Sequence, residues 1–221
     1  MNRFRPAAAE LTEVPRGRDG ARSLWDSPRS SLAGRRLALV VTGGVAAYKA
    51  AELARMMVRA GAEVRAVLTE NAARFITPLT FESLTRQPAY LDMWSKPQHD
   101  IEHISLADWA EAVMVAPATA NFLAKMAWGL ADDFASTFLL ASAAPKLAAP
   151  AMNSRMLAAP ATAANLAALA ERGVTLISSQ SGLLACGAVG DGRLAALDII
   201  SLMTARALTP PDFKGVRVAV S

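Results

Sequence analysis

Two short apolar runs in the middle of the chain constrain its fold more than any other feature. AVMVAP (112–117) and KLAAPAM (146–152) are each long enough for one strand, and each stops in a small or polar loop that opens into a helical pattern. The same unit occurs near the start. RLALVVT (36–42) ends in Gly43-Gly44, a helical stretch then runs to Gly61, and EVRAVLT (63–69) forms a second strand. That is a β–α–β unit of about 30 residues. A fifth strand is expected at VTLIS (174–178). Apolar strands alternating with helices imply an α/β fold, an open parallel sheet with helices on both faces. In such sheets ligands bind beyond the carboxyl ends of the strands. Pro117–Asn121 and Pro150–Asn153 should therefore face one crevice, which His103, just upstream of the third strand, could also enter.

The remaining segments fall around this frame. A short helix, a break at Pro78 and a second helix are expected over 71–86, followed by a loop over 90–100 and a loop carrying His103. A helix with Asn121 near its start follows the third strand, and a further helical piece lies within 127–143, after Gly129. Another helix spans 153–172, interrupted or begun at Pro160. A glycine-rich excursion fills 179–193, and a last helix runs 197–208. Residues 1–33 mix Arg, Pro, Ser and Gly without a period and are expected to be a disordered or loosely attached extension. The domain proper is 34–208. Residues 209–221 read as a linker and an opening strand like that at 36–42.

Composition excludes several classes. The hydrophobic fraction is 53% of 221 residues, much of it alanine, which suits close helix packing. No apolar run reaches the ~18 residues needed to span a bilayer, and no signal-peptide pattern heads the chain. One cysteine precludes an intrachain disulfide. A cytoplasmic protein without a membrane partner is expected. The net charge of +4 is local: residues 1–36 hold eight Arg against four acidic residues, and the remainder balances 15 against 15. The globular part therefore has no basic excess for nucleic acid.

Few residues could carry chemistry. Gly43-Gly44 before a helix start forms either an anion cradle or a tight turn with no ligand, because the full G-x-G-x-x-G pattern is absent. His103 is one of two histidines; a lone loop histidine is more often a surface residue than a catalyst, and His99 lies in a polar run. Cys186 sits among four glycines in SGLLACGAVGDGR, the pattern of a mobile flap. Asn153 is a helix cap, a ligand contact or both. Asp132-Asp133 lacks a third ligand at metal spacing and suits a helix start. No metal site, nucleophile elbow or Walker loop is present in the sequence.

Five segments together carry a resemblance: TGGVAAYKA (42–50), HISLADWA (103–110), APATANFLAKMAWGLADD (116–133), PAMNSRM (150–156) and ACGAVGDGRLA (185–195). In this order they resemble the homo-oligomeric flavin-containing cysteine decarboxylases, and within them the phosphopantothenoylcysteine decarboxylase domain of the bifunctional bacterial coenzyme A enzyme. The resemblance implies a flavodoxin-like or Rossmann-like sheet binding FMN. It assigns Gly43, Gly44, Val45, Thr69, Thr119, Ala120, Asn121 and Ala151 to the flavin, and Asn153 and Met156 to the substrate. His103 becomes the active-site histidine and Cys186 the proton-donating acid. Phe122 stands where some relatives carry Thr, and Leu157 where many carry Trp.

The implied reaction is oxidation of the substrate thiol to a thioaldehyde, loss of CO₂ to an enethiol, and re-reduction to phosphopantetheine. Ligase activity is not expected. The resemblance also implies a trimer or assembly of trimers, with the site shared between copies. Alternatives are a peptide C-terminal cysteine oxidative decarboxylase, which lacks the flap cysteine, and a flavin-binding regulatory subunit without catalysis. A nicotinamide dehydrogenase fits less well, since Glu63 opens its strand where a ribose-binding acid would close it.

Overall fold

Runs built mostly of Val, Leu, Met and Ala leave a strand no solvent face, and two such runs become the centre of the sheet. These are β1 (Arg36–Val41) and β4 (Ala112–Ala118), the latter buried along its whole length. The computed structural model describes residues 32–94, 101–183, 187 and 189–209. His99 and Cys186 lie outside the described residues. β2 (Glu63–Leu68), β3 (Ala89–Tyr90), β5 (Lys146–Pro150) and β6 (Thr175–Leu176) complete a six-stranded sheet of order β3-β2-β1-β4-β5-β6, with every neighbouring pair parallel.

Alternation along the strands sends side chains to two cores. Leu37, Leu39 and Val41 of β1, with Ala112 and Met114 of β4, face one side. There α1 (Ala47–Arg59) buries Ala47, Ala50, Leu53, Ala54 and Met57, a stripe at helical spacing, beside α9 (Leu197–Leu208). Ala38, Val40, Val113 and Val115 face the other side. They meet Leu106 of α4 (Glu102–Trp109), Phe122 and Leu123 of α5 (Ala120–Trp128), and Phe138 of α6 (Phe134–Ala141). α2 (Glu70–Ala73) and α3 (Pro78–Thr85) follow β2, while α7 (Ser154–Leu157) and α8 (Pro160–Glu171) follow β5.

Four local expectations change. His103 lies in the first turn of α4, not in a loop, since Leu106 and Ala107 give that segment a face to bury. Ala89–Tyr90 pairs with Ala66–Val67 as an edge strand within the region read as irregular. The excursion at 179–193 contains an antiparallel hairpin, β7 (Gln180–Leu183) with β8 (Val189–Arg193). Leu32, inside the expected loose extension, is fully buried, and its N–H donates to the Ala60 carbonyl oxygen at 3.1 Å.

Candidate functional site

The chain leaves β1 toward β2 and leaves β4 toward β5, in opposite directions across the sheet. Between the two departures a crevice opens, as it must at a topological switch point. It holds a cleft of about 640 Å³, within the ~300–1,000 Å³ common for ligand sites.

Each strand end supplies one wall. Gly43, Gly44 and Val45 come from the end of β1, and Thr69 from the end of β2. Thr119, Ala120 and Asn121 follow β4, and Ala151, Asn153 and Met156 follow β5. Three of these are helix caps. The Thr69 hydroxyl accepts the Ala72 N–H at 3.2 Å, the Thr119 hydroxyl accepts the Phe122 N–H at 3.4 Å, and Asn153 Oδ1 accepts the Arg155 N–H at 2.9 Å. Cap and cleft residue thus coincide, because the residue that starts a helix after a parallel strand stands at the mouth of the crevice.

Thr42 was given no role from the sequence. It is buried, and its hydroxyl donates to the Pro117 carbonyl oxygen at 2.7 Å while accepting the Thr119 N–H at 3.0 Å. It therefore ties the ends of β1 and β4 under the cleft. Gly43 has a packing reason to be glycine: a Cβ there would overlap Asn71 at the start of α2. α1 begins after Ala46 without a side-chain cap; the Ala47 N–H donates to the Gly44 carbonyl oxygen and the Lys49 N–H to that of Ala46, and the positive end of the helix dipole suits an anion.

A charged cluster closes one end. Lys125 Nζ lies 2.6 Å from Asp132 Oδ1 and 2.7 Å from Asp133 Oδ2, and all three residues line the cleft. Burial opposes the Lys125 charge, but the two carboxylates outweigh it and hold its pKa above the ordinary value. The hydrogen bond from Lys125 holds Asp132 below the usual carboxylate range. Asp133 also caps α6 in a reciprocal box with Ser136. No group of three metal-ligating side chains occurs among the described residues. The interval from Lys125 to Asp132-Asp133 runs through the end of α5 and the turn before α6, so no helical period links them.

His103 is not among the residues lining this cleft. It is half-buried on α4, edge-on to Phe134 with ring centroids 6.4 Å apart. One chain alone therefore does not bring His103 and Asn153 into one site.

A family model described as Flavoprotein matches residues 26–208. The chain belongs to the Flavoprotein family. It is 47% identical over 161 residues to the coenzyme A biosynthesis bifunctional protein CoaBC of Bacillus subtilis, covering 72% of this chain and 40% of that protein. To the Escherichia coli K12 protein of the same name it is 41% identical over 194 residues, covering 86% and 48%. The chain thus spans less than half the length of these relatives. Among solved structures, a PPC decarboxylase mutant complexed with pantothenoylaminoethenethiol matches with TM-score 0.69 and 33% identity, over 77% of this chain and 96% of that one. The FMN binding protein AtHal3 matches with TM-score 0.66 and 34% identity, over 77% and 94%. SpaF, an FMN-dependent cysteine decarboxylase, matches with TM-score 0.66 and 31% identity, over 79% and 98%. The Flavoprotein cleft here suits such a cofactor: Gly44 adds no side chain to the cleft wall, the N-terminal end of α1 brings the positive end of its dipole, and Val45, Met152 and Met156 give apolar walls. No helix among the described residues is long and apolar enough to cross a membrane.

Proposed function

We propose that this chain binds FMN and decarboxylates phosphopantothenoylcysteine to phosphopantetheine in coenzyme A biosynthesis. The observation that carries the reading is that Asn153 and the Thr119–Asn121 loop line one cleft in a Flavoprotein chain 40–47% identical to CoaBC proteins. FMN, rather than a larger dinucleotide, fits a cleft with one uncapped helix start of more than two turns, that of α1. When bound, the flavin supplies two-electron oxidation of the substrate thiol and the return of those electrons. This chain's residues do the rest. Gly43–Val45 and Thr119–Asn121 hold the flavin. Asn153, anchored as a cap, offers its amide N–H₂ to the substrate carboxylate and fixes the bond to be broken. Cys186 donates a proton to carbon afterwards, for which an ordinary thiol pKa near ~8.5 is suitable at neutral pH.

His103 lies outside its own chain's cleft, and the proposal includes a homo-oligomer, a trimer or assembly of trimers, in which it serves a neighbour's site as base for the thiol proton. Exposed Tyr48, Phe75, Leu79, Trp94 and Ile101 support such an assembly. The same proposal keeps the cytoplasmic location expected from the sequence. The test is to release the cofactor by heat, identify it by chromatography, and follow CO₂ and product mass with phosphopantothenoylcysteine. FMN and phosphopantetheine are expected. FAD, or absence of CO₂ from the reconstituted protein, overturns the reading. A product that stops at the enethiol favours the oxidative peptide-type chemistry, and bound flavin without turnover favours a regulatory subunit.

A further inference from the structure

The β7–β8 hairpin is keyed into the loop that carries Asn153. Met152 N–H donates to the Gly192 carbonyl oxygen at 2.9 Å. Ser154 Oγ donates to the Asp191 carbonyl oxygen at 2.7 Å. Across the hairpin the Ser181 hydroxyl donates to the Asp191 carboxylate. Two glycines of β8 are shaped to this contact. A Cβ at Gly190 would stand 2.5 Å from Ser154 Oγ, and one at Gly192 would overlap the Met152 carbonyl, at a backbone φ of +113°. The sequence suggested that these glycines serve flap mobility; in the structure, at 190 and 192, they serve close approach. Gly192 and Arg193 line the cleft beside Asn153.

We infer that Ser154 is a positioning residue that locks the β7–β8 hairpin to the 152–154 loop, so that the hairpin base and Asn153 form one rigid substrate-carboxylate subsite. Ser154 itself touches the hairpin and not the substrate. The inference rests on the reading that Asn153 holds the carboxylate. Losing one hydrogen bond of this kind is expected to loosen the loop and weaken substrate binding about three- to tenfold.

The experiment uses the flavin-loaded protein and four variants: Ser154→Ala, Ser154→Thr, Gly190→Ala, and Gly190→Ala combined with Ser154→Ala. Amide exchange at Met152 and across 189–193, flavin absorbance, and KM and kcat with phosphopantothenoylcysteine are measured for each. Ser154→Ala should exchange faster at Met152 and along β8, raise KM about three- to tenfold with kcat less affected, and keep its flavin. Ser154→Thr, which retains the hydroxyl, should recover most of both effects. Gly190→Ala should be harmful alone but add little to Ser154→Ala, because the new methyl then meets only the Cβ of residue 154, at 3.5 Å. Unchanged exchange and KM in Ser154→Ala, or equal effects of Gly190→Ala in both backgrounds, overturn the lock. If the wild type turns over no such substrate, the functional reading falls and the exchange pattern alone decides whether the lock exists.

Discussion

Thr42 holds the two central strand ends together at a point where the sheet itself cannot. β1 and β4 diverge there, so the Pro117 carbonyl and the Thr119 N–H have no strand partner, and one hydroxyl serves both. Thr42→Val keeps the shape and removes the hydroxyl, leaving two polar groups unpaired beneath the cleft. Such a change should destabilise the fold by about 1–3 kcal/mol and lower flavin retention, read by urea unfolding and by the absorbance of purified protein. Thr42→Ser should cost much less. A Thr42→Val protein as stable as wild type would show that water replaces the hydroxyl at no loss.

At the scale of elements, α5 and α6 are braced by Lys125 against Asp132 and Asp133 across the turn that joins them. The pH dependence follows from the two resolved shifts. Asp132 is lowered from 3.8, so its contribution is present above the ordinary carboxylate range and lost as pH falls through the lowered value. Lys125 is raised from 10.5, so its contribution is present below that value and lost only as pH climbs past the raised one. Lys125→Met should therefore lower the Tm at neutral pH, and the gap to wild type should close on acidification below about pH 4. Thermal melts across the acid range measure this. Asp132 is well exposed, so solvent screening keeps its share of the effect modest. A gap that stays constant with pH would assign the loss to packing of the lysine stem instead.

For the whole molecule, two features reach beyond any one element. Leu32 precedes β1 yet is fully buried against the α1 side of the sheet. Leu32→Ala should destabilise the domain by about 2–5 kcal/mol, seen as a lower urea midpoint with an unchanged m-value. The second feature is the separation of His103 from the cleft of its own chain. If neighbouring copies share sites, His103→Asn and Asn153→Ala proteins should each keep flavin and lose decarboxylation. Unfolded together and refolded as mixed oligomers, they should regain part of the activity, since some sites then receive both native residues. No recovery would place both residues in one chain's site.

The layered sheet was legible in the sequence because its central strands are buried on both faces and read as mainly apolar runs, with β2 broken only by Glu63 and Arg65; β1, β2 and β4 stand within a residue of the expected limits, and β5 occupies 146–150 of the 146–152 run. The crevice was legible for the same reason, since parallel strands end in loops whose caps, Thr69, Thr119 and Asn153, are chemically distinctive. The short β3 escaped. It has two residues, as does β6, which takes only Thr175–Leu176 of the expected run at 174–178, and both exist only because a neighbouring strand offers backbone partners. The α4 segment reads as a loop until Leu106 and Ala107 find the core. Residue types set the strands, the caps and the glycines. Tertiary structure alone decided which of them meet: Thr42 with Pro117, Lys125 with its two aspartates, and Ser154 with the hairpin. Those contacts join residues that no helical or strand period relates, so only the packed chain brings them within hydrogen-bond reach.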